Sequence, residues 1–392
     1  MLLKPLCNRS VIRLKAMQHL YAFYVTKRVH YNSSLAQIQQ DFTPDIFAGA
    51  VPDDAQRLKA QALALFRANT QQPKLALTAS LHPVQVVASV TKAHASYHTE
   101  LAKDIHLLQK GWSAGVKRIC QSCVSMLQLL ILWRDLARQE TQSVTSNSPG
   151  QHAGQPLAHN RILAQLSQNP TFLSLLKQYA MPWTDKAELV TTWYHQFLKK
   201  NTCLQHKDIQ SPALVEDQAV LRYLLTEILF GEEAVQACFN DVDLNWLTHK
   251  KMVKKIVLSL FDNLSENTVS EANLALLASP TSSLPTQQAF HFYETLVQQT
   301  VVQDAELDAR IEHHLKNWTL DRIMLVDRIL LKLAMCEILY FEDIPAKVSM
   351  NEYLELAKAY STPKSSLFIN GILDAVAKPM QPLSDSATHR HA

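Results

Sequence analysis

Residues 320–340, LDRIMLVDRILLKLAMCEILY, decide the fold. Val326, Leu330, Leu333 and Glu337 recur at three- and four-residue spacing with Ile323 and Leu331 beside them, the period of a helix and not the alternation of a strand. A helix this apolar belongs at the centre of a core. Its charged residues Asp321, Asp327, Arg328 and Lys332 are expected to mark an exposed strip, either an ion-paired surface or a partner-docking surface. Around it the last hundred residues read as five helices, over 288–303, 304–318, 320–340, 347–360 and 363–378, joined by short links into a bundle.

Composition extends this reading to the whole chain. There are 7 glycines in 392 residues, where average usage would give about 27. Neither GxGxxG nor GxxxxGK[ST] occurs, so the usual glycine-built phosphate cradles are excluded. Sandwiches and barrels also need frequent glycine, whereas Leu, Ala, Gln and Lys dominate here, as helices prefer. The fold class is therefore all-α. With 47% hydrophobic and 19% charged residues the chain is a folded globular protein, neither disordered nor fibrous.

Charge is unevenly placed. Residues 1–40 carry Lys4, Arg9, Arg13, Lys15, Lys27 and Arg28 with no acid, whereas residues 304–378 hold 12 acids against 9 bases, so a basic arm precedes an acidic body. Residues 9–31 read as one helix with Asn8 as N-cap, which puts Arg9 and Arg13 on one face of its first turns. Cations there oppose the helix dipole by about 0.3–1 kcal/mol each. An external polyanion would relieve that cost, and salt screening is the competing account. Further helices are predicted near 55–70, 84–110, 115–140, 161–179, 185–200, 216–230 and 245–262, separated by loops at 41–54, 141–160 and 267–288. Lys250, Lys251, Lys254 and Lys255 form a basic patch on the last of these, read as a solvated face or a second RNA contact. The tail 379–392 is expected to be disordered.

The final helix is expected to start at Ser361-Thr362-Pro363, with Thr362 as cap and Pro363 at its first position. Backbone N–H groups, Ser365, Ser366 and Lys364 at that end suit a phosphate, and Phe368 one turn on is either a base-stacking platform or core. Asn370-Gly371 lacks flanking strands, so Gly371 reads as a helix glycine that permits close packing or ligand approach.

Other chemistry is weakly signalled. Cys120 and Cys123 make the one CxxC, without further ligands at metal spacing or a βαβ context, so they read as core thiols and no metal is assigned. His313-His314 is not an i,i+4 pair, and no HExxH or Ser-His-Asp context occurs. The expectation is a non-enzyme without cofactors. The longest apolar run, Val124 to Trp133 with Ser125 and Gln128 inside it, is shorter than a bilayer span, and no signal-peptide pattern opens the chain; a cytoplasmic protein without membrane contact is expected.

Two blocks resemble the NusB family of transcription antitermination factors: NRSVIRLKAMQHLYAFY at 8–24, and 317–377 with NWTLDRIMLVDRILLKLAMCEIL, IPAKVSMNEYLELAKAYSTPKS and FINGILDAV. RILAQLSQNPTFLSLLKQY is similar to the extended form found in Bacteroidetes-type bacteria. The resemblance implies a NusB-like helical bundle built from residues 1–32 and 286–378, with 33–285 as a helical insertion. It implies a factor that binds boxA-type single-stranded RNA of ribosomal RNA leaders together with the ribosomal protein NusE, within the RNA polymerase antitermination complex. By matching positions, Arg9, Arg13, Lys364 and Phe368 are expected at the RNA, with Lys4, Lys15 and Ser365 supplementing them. Tyr21, Asp321 and Asp327 match positions on the face for NusE. Ser10 and Val11 stand where arginine is usual. The competing readings are a helical protein-interaction scaffold of this fold without RNA binding, and a methyltransferase carrying such a domain; the second lacks its glycine-rich loop and strand–helix alternation.

Overall fold

In the computed structural model, residues 2–43, 52–75, 81–143, 155–179, 183–198, 214–265, 268–315 and 319–380 are described. Sixteen α-helices occur among them, besides short 3-10 and π-helical segments: α1 Arg9–Asp41, α2 Pro52–Asn69, α3 Val84–Ser143, α4 Gln155–Ala158, α5 Arg161–Gln168, α6 Pro170–Gln178, α7 Ala187–Trp193, α8 Leu214–Tyr223, α9 Glu233–Val242, α10 Trp246–Asp262, α11 Glu271–Ala278, α12 Leu284–Val302, α13 Asp304–His313, α14 Leu325–Tyr340, α15 Ala346–Tyr360 and α16 Ser365–Met380. The all-α reading holds. Beside the helices stands one antiparallel pair of two-residue strands, β1 Leu264–Ser265 and β2 Thr268–Val269.

Two compact units form, one from residues 1–12 and 113–291, the other from 13–112 and 292–392. They cut the chain elsewhere than the composite bundle and insertion read from the sequence. In the second unit α14, α15 and α16 pack against one another, and α13 joins α14 and α16. Ile329, Leu330, Leu333, Tyr353, Ile369 and Leu373 are fully buried there. A separate cluster in the same unit collects Ile38, Phe66, Val90 and Tyr97 from α1, α2 and α3, with the Tyr31, Phe66 and Tyr97 rings in mutual contact. The first unit is built on tryptophans: Trp133 Nε1 donates to the Val190 carbonyl at 3.1 Å, Trp183 Nε1 to that of Ser125 at 2.7 Å, and Trp246 stacks on Phe239.

Several predicted boundaries move for local reasons. The segment 320–340 is not one helix: a 3-10 turn, Leu320–Arg322, is followed by extended backbone at Ile323 and Met324 before α14 begins. The stretch 161–179 breaks at Asn169, because Pro170 starts α6 and biases its predecessor to extended geometry. Asn160 and Asn169 cap α5 and α6, accepting Leu163 N at 3.1 Å and Phe172 N at 2.9 Å. Residues 84–143 are a single helix where two were expected, since neither Gly111 nor Gly115 interrupts it. The supposed loop 267–288 contains α11, whose Leu274 and Leu277 are buried. Residues 44–51 and 144–154, and 381–392 of the tail, lie outside the described residues.

One window of α3 is long and apolar enough to cross a membrane by composition, and 67% of it is buried inside the protein, as in a core helix. Cys120 and Cys123 on that helix are buried thiols, and burial pushes Cys120 up to about 12 and Cys123 well above its ordinary value.

Candidate nucleic-acid interface

Each predicted residue is placed by its helix. In the first unit, the 3-10 turn Lys4–Cys7 buries Leu6, with Leu2 and Leu3 buried before it, and the turn packs on α10. Asn8 caps α1 by accepting Ser10 N at 3.0 Å. Lys4 and Arg9 are exposed on this arm.

Arg13, one turn further along α1 in the second unit, has the opposite fate. It is 3% exposed. Its Nε and Nη2 donate to the two oxygens of Glu337 at 2.8 and 2.6 Å, and its Nη1 donates to Glu352 at 3.0 Å. Glu337 is fully buried and also accepts Ser349 Oγ at 2.6 Å and Tyr353 OH at 2.9 Å. Burial acts to lower the Arg13 pKa, and the bond and charge of Glu337 more than offset it, so the group stays cationic. The expected phosphate contact by Arg13 is therefore corrected: at 3% exposure, with its charge matched by Glu337 and Glu352, the guanidinium is not at a surface an RNA can reach. Lys15, only 2% exposed, is likewise removed from the surface contacts.

The start of α16 shows a second internal anion. Ser365 is 4% exposed and donates to Asp327 Oδ2 at 2.7 Å, while Ser361 Oγ donates to Asp327 Oδ1 at 2.5 Å. Ser365 N also bonds the Thr362 carbonyl at 2.9 Å, so Thr362 and Pro363 form a turn ahead of the helix instead of its cap and first residue. The carboxylate of Asp327 occupies the role foreseen for a phosphate on Ser365. Both expectations are thus corrected in place: Ser365 and Asp327, 5% exposed, are turned toward each other inside the bundle and not toward its surface. Together they tie α14 to α16 and fix where α16 begins.

What remains exposed there is a row. Lys364 precedes the helix, Phe368 lies half-buried four residues on, and Gly371 three further, all on one side, with Leu367 beside them at 77% exposure. A Cβ at Gly371 would meet nothing within 4 Å, so close packing is not its purpose and the surface beside Phe368 is left open. Tyr21, 44% exposed, and Asp321 are on the surface of the same unit.

Of the charged strip foreseen as exposed, Asp321 is at the surface, whereas Arg328 and Lys332 join a largely internal charge cluster. Lys332 is fully buried and pairs with Asp304 and, at 2.8 Å, with Asp308; Arg328 also binds Asp308. Asp304 further accepts Lys27 Nζ at 2.8 Å and Tyr24 OH at 2.6 Å, which joins α1, α13 and α14. Burial alone would raise the Asp304 pKa, but Lys27 and Lys332 pull it down to about 2. A carboxyl held below its unfolded value near 4 contributes its stability above that pH and loses it as pH falls through about 2. Denaturation between pH 5 and pH 2 should show Asp304→Asn losing about 2 kcal/mol of this acid dependence; an unchanged pH profile in that variant would contradict the pairing.

From sequence, Glu337 reads as part of the helical stripe without a partner and Lys332 as part of an exposed strip, while Asp304 carries no signal of its own. One signal was available: Glu337 falls on the apolar stripe of α14, and a carboxylate there requires a buried cation somewhere in the chain.

Comparison with known proteins agrees with the C-terminal reading. Residues 248–378 match the model of the NusB family, beginning upstream of the boundary at 286 read from sequence. A transcription antitermination protein NusB of Salinibacter ruber is 38% identical over 124 residues, covering 31% of this chain and 76% of the relative. One from Bacillus pumilus is 44% identical over 101 residues, covering 26% and 77%. Among solved structures, T. maritima NusB is 26% identical over 42% of this chain and 93% of its own, with a TM-score of 0.24.

Proposed function

Because the chain belongs to the NusB family, we propose that it is a transcription antitermination factor of the cytoplasm that binds boxA-type single-stranded RNA together with the ribosomal protein NusE, without catalysis of its own. The observation that carries the RNA reading is the exposed row on α16: a cation at Lys364, a ring at Phe368 and open space over Gly371. Phosphates need cations at the surface, and unpaired bases need a platform. Lys4 and Arg9 add positive charge from the N-terminal arm. Tyr21 and Asp321 are the residues that meet NusE, where the acid gives orientation and association rate against a basic partner more than affinity.

Three phosphate contacts, by Lys4, Arg9 and Lys364, give a slope of log K against log salt of about −2. Fluorescence anisotropy of a boxA-type RNA and a scrambled control, with and without NusE, measures it. Phe368→Ala should weaken the cognate RNA by about 1–3 kcal/mol and the scrambled RNA less. Equal losses on the two RNAs would remove the stacking role, and a slope near zero the electrostatic one. No RNA binding at all, with NusE still captured, would favour the scaffold reading.

A further inference from the structure

α10 carries Lys250, Lys251, Lys254 and Lys255 within two turns, and its one acid, Asp262, is paired with Arg222 at 2.5 Å. No described acid pairs with any of the four lysines, whereas Arg13, Lys27, Arg328 and Lys332 are all matched by carboxylates. Lys251 and Lys255 are exposed, and Lys254 Nζ lies 5.6 Å from the centre of the Phe230 ring. Like charges at i,i+4 destabilise a helix, so the pairs Lys250/Lys254 and Lys251/Lys255 cost stability unless an external anion sits over them. Each pair is spaced by about 6 Å along the axis, near the repeat of a stretched nucleotide backbone. On the exposed side, Leu247 precedes Lys251 by one turn at 83% exposure, and Leu244 before the helix is 86% exposed. These are apolar surfaces against which unstacked bases can rest.

Charge decides the ligand: four lysines spaced along one helix, with no described carboxylate paired to them, match a polyanion, and the Lys4–Cys7 turn packs on the same helix. We propose that α10 is a second single-stranded RNA site, on which nucleotides flanking the boxA-type element lie with their phosphates on Lys250, Lys251, Lys254 and Lys255. This rests on the RNA reading above and adds a track that lengthens the footprint, raising affinity for leader RNA over the isolated element.

The test uses the full chain, with a minimal boxA-type RNA and the same RNA extended by uridine tracts at both ends, titrated across a salt series. The wild type should bind the extended RNA about tenfold more tightly. Replacing the four lysines by glutamine should abolish that gain, reduce the salt slope on extended RNA by about 2 to 3, and leave the minimal RNA unaffected. The four arginine replacements should retain the gain, and the milder Lys251→Gln, Lys255→Gln pair, confined to exposed positions, should lose part of it with a melting temperature equal to or slightly above that of the wild type. Wild type binding minimal and extended RNA alike would overturn the proposal while sustaining the function proposed above; binding neither would overturn both. Equal weakening on both RNAs by the glutamine variant would also overturn it, as would lysine-dependent capture by phosphatidylserine vesicles with RNA binding unaltered.

Discussion

Arg13→Ala should destabilise the protein by about 3–5 kcal/mol, because it leaves the carboxylate of Glu337 buried with its cation gone. Glu337 would keep the Ser349 and Tyr353 hydroxyls, and two neutral donors do not replace a bidentate guanidinium. Chemical denaturation measures the loss. Arg13→Met combined with Glu337→Met should recover much of it, since a buried pair exchanged for apolar groups of similar size is often neutral or better. The same variants separate the structural role from an RNA role. Under conditions where Arg13→Ala is fully folded, its RNA affinity should stay within about twofold of wild type, a difference under about 0.4 kcal/mol. A large affinity loss with an unchanged denaturation midpoint would show that Arg13 reaches the RNA and not Glu337.

Gly111→Val should cost about 3 kcal/mol by overpacking. A Cβ built at Gly111 lies 2.6 Å from His19 Nδ1 and 2.8 Å from Tyr293 Oη, contacts that no side chain can keep. Neither neighbour can yield freely. Tyr293 OH donates to the Leu108 carbonyl at 2.8 Å and stands 2.6 Å from His19 Nδ1, so His19 must carry its proton on Nδ1 to complete the chain. Displacing the ring breaks both bonds inside a buried seam of the second unit. Gly115→Ala, one turn along the same helix, is the contrast: its nearest neighbour, His249, is at 3.8 Å, and the gain in helix propensity should stabilise by up to about 1 kcal/mol. Thermal melts that move alike for the two substitutions would refute the close approach at Gly111.

Much of the backbone was legible because its causes are local. Asn8 ahead of α1, the 3.6-residue stripe of α14 and the lack of glycine each act over a few residues, so the chain displays them directly. Where local signals mislead, the reason is also local: Pro170 lies inside the expected helix 161–179 and forces a break, and Pro280 and Pro285 lie inside the expected loop 267–288 and open helical segments there. The candidate site was legible in residue type and less so in orientation. Lys364, Phe368, Lys4 and Arg9 came out at or near the surface, whereas Arg13, Lys15, Ser365 and Asp327 went inside.

The sequence by itself determined that this protein is helical, where most of its helices lie, and which residues share a helix face, because those follow from backbone sterics and side-chain period within a few turns. Only the tertiary structure decided which charges meet. Arg9 and Arg13 are indistinguishable by spacing, yet Arg9 is exposed and Arg13 is buried against a carboxylate 324 positions away. Helical period gives relative angle around one axis and says nothing of what docks on that face. A buried charge is tolerable only where its counter-charge arrives from another element, and that meeting is a property of packing.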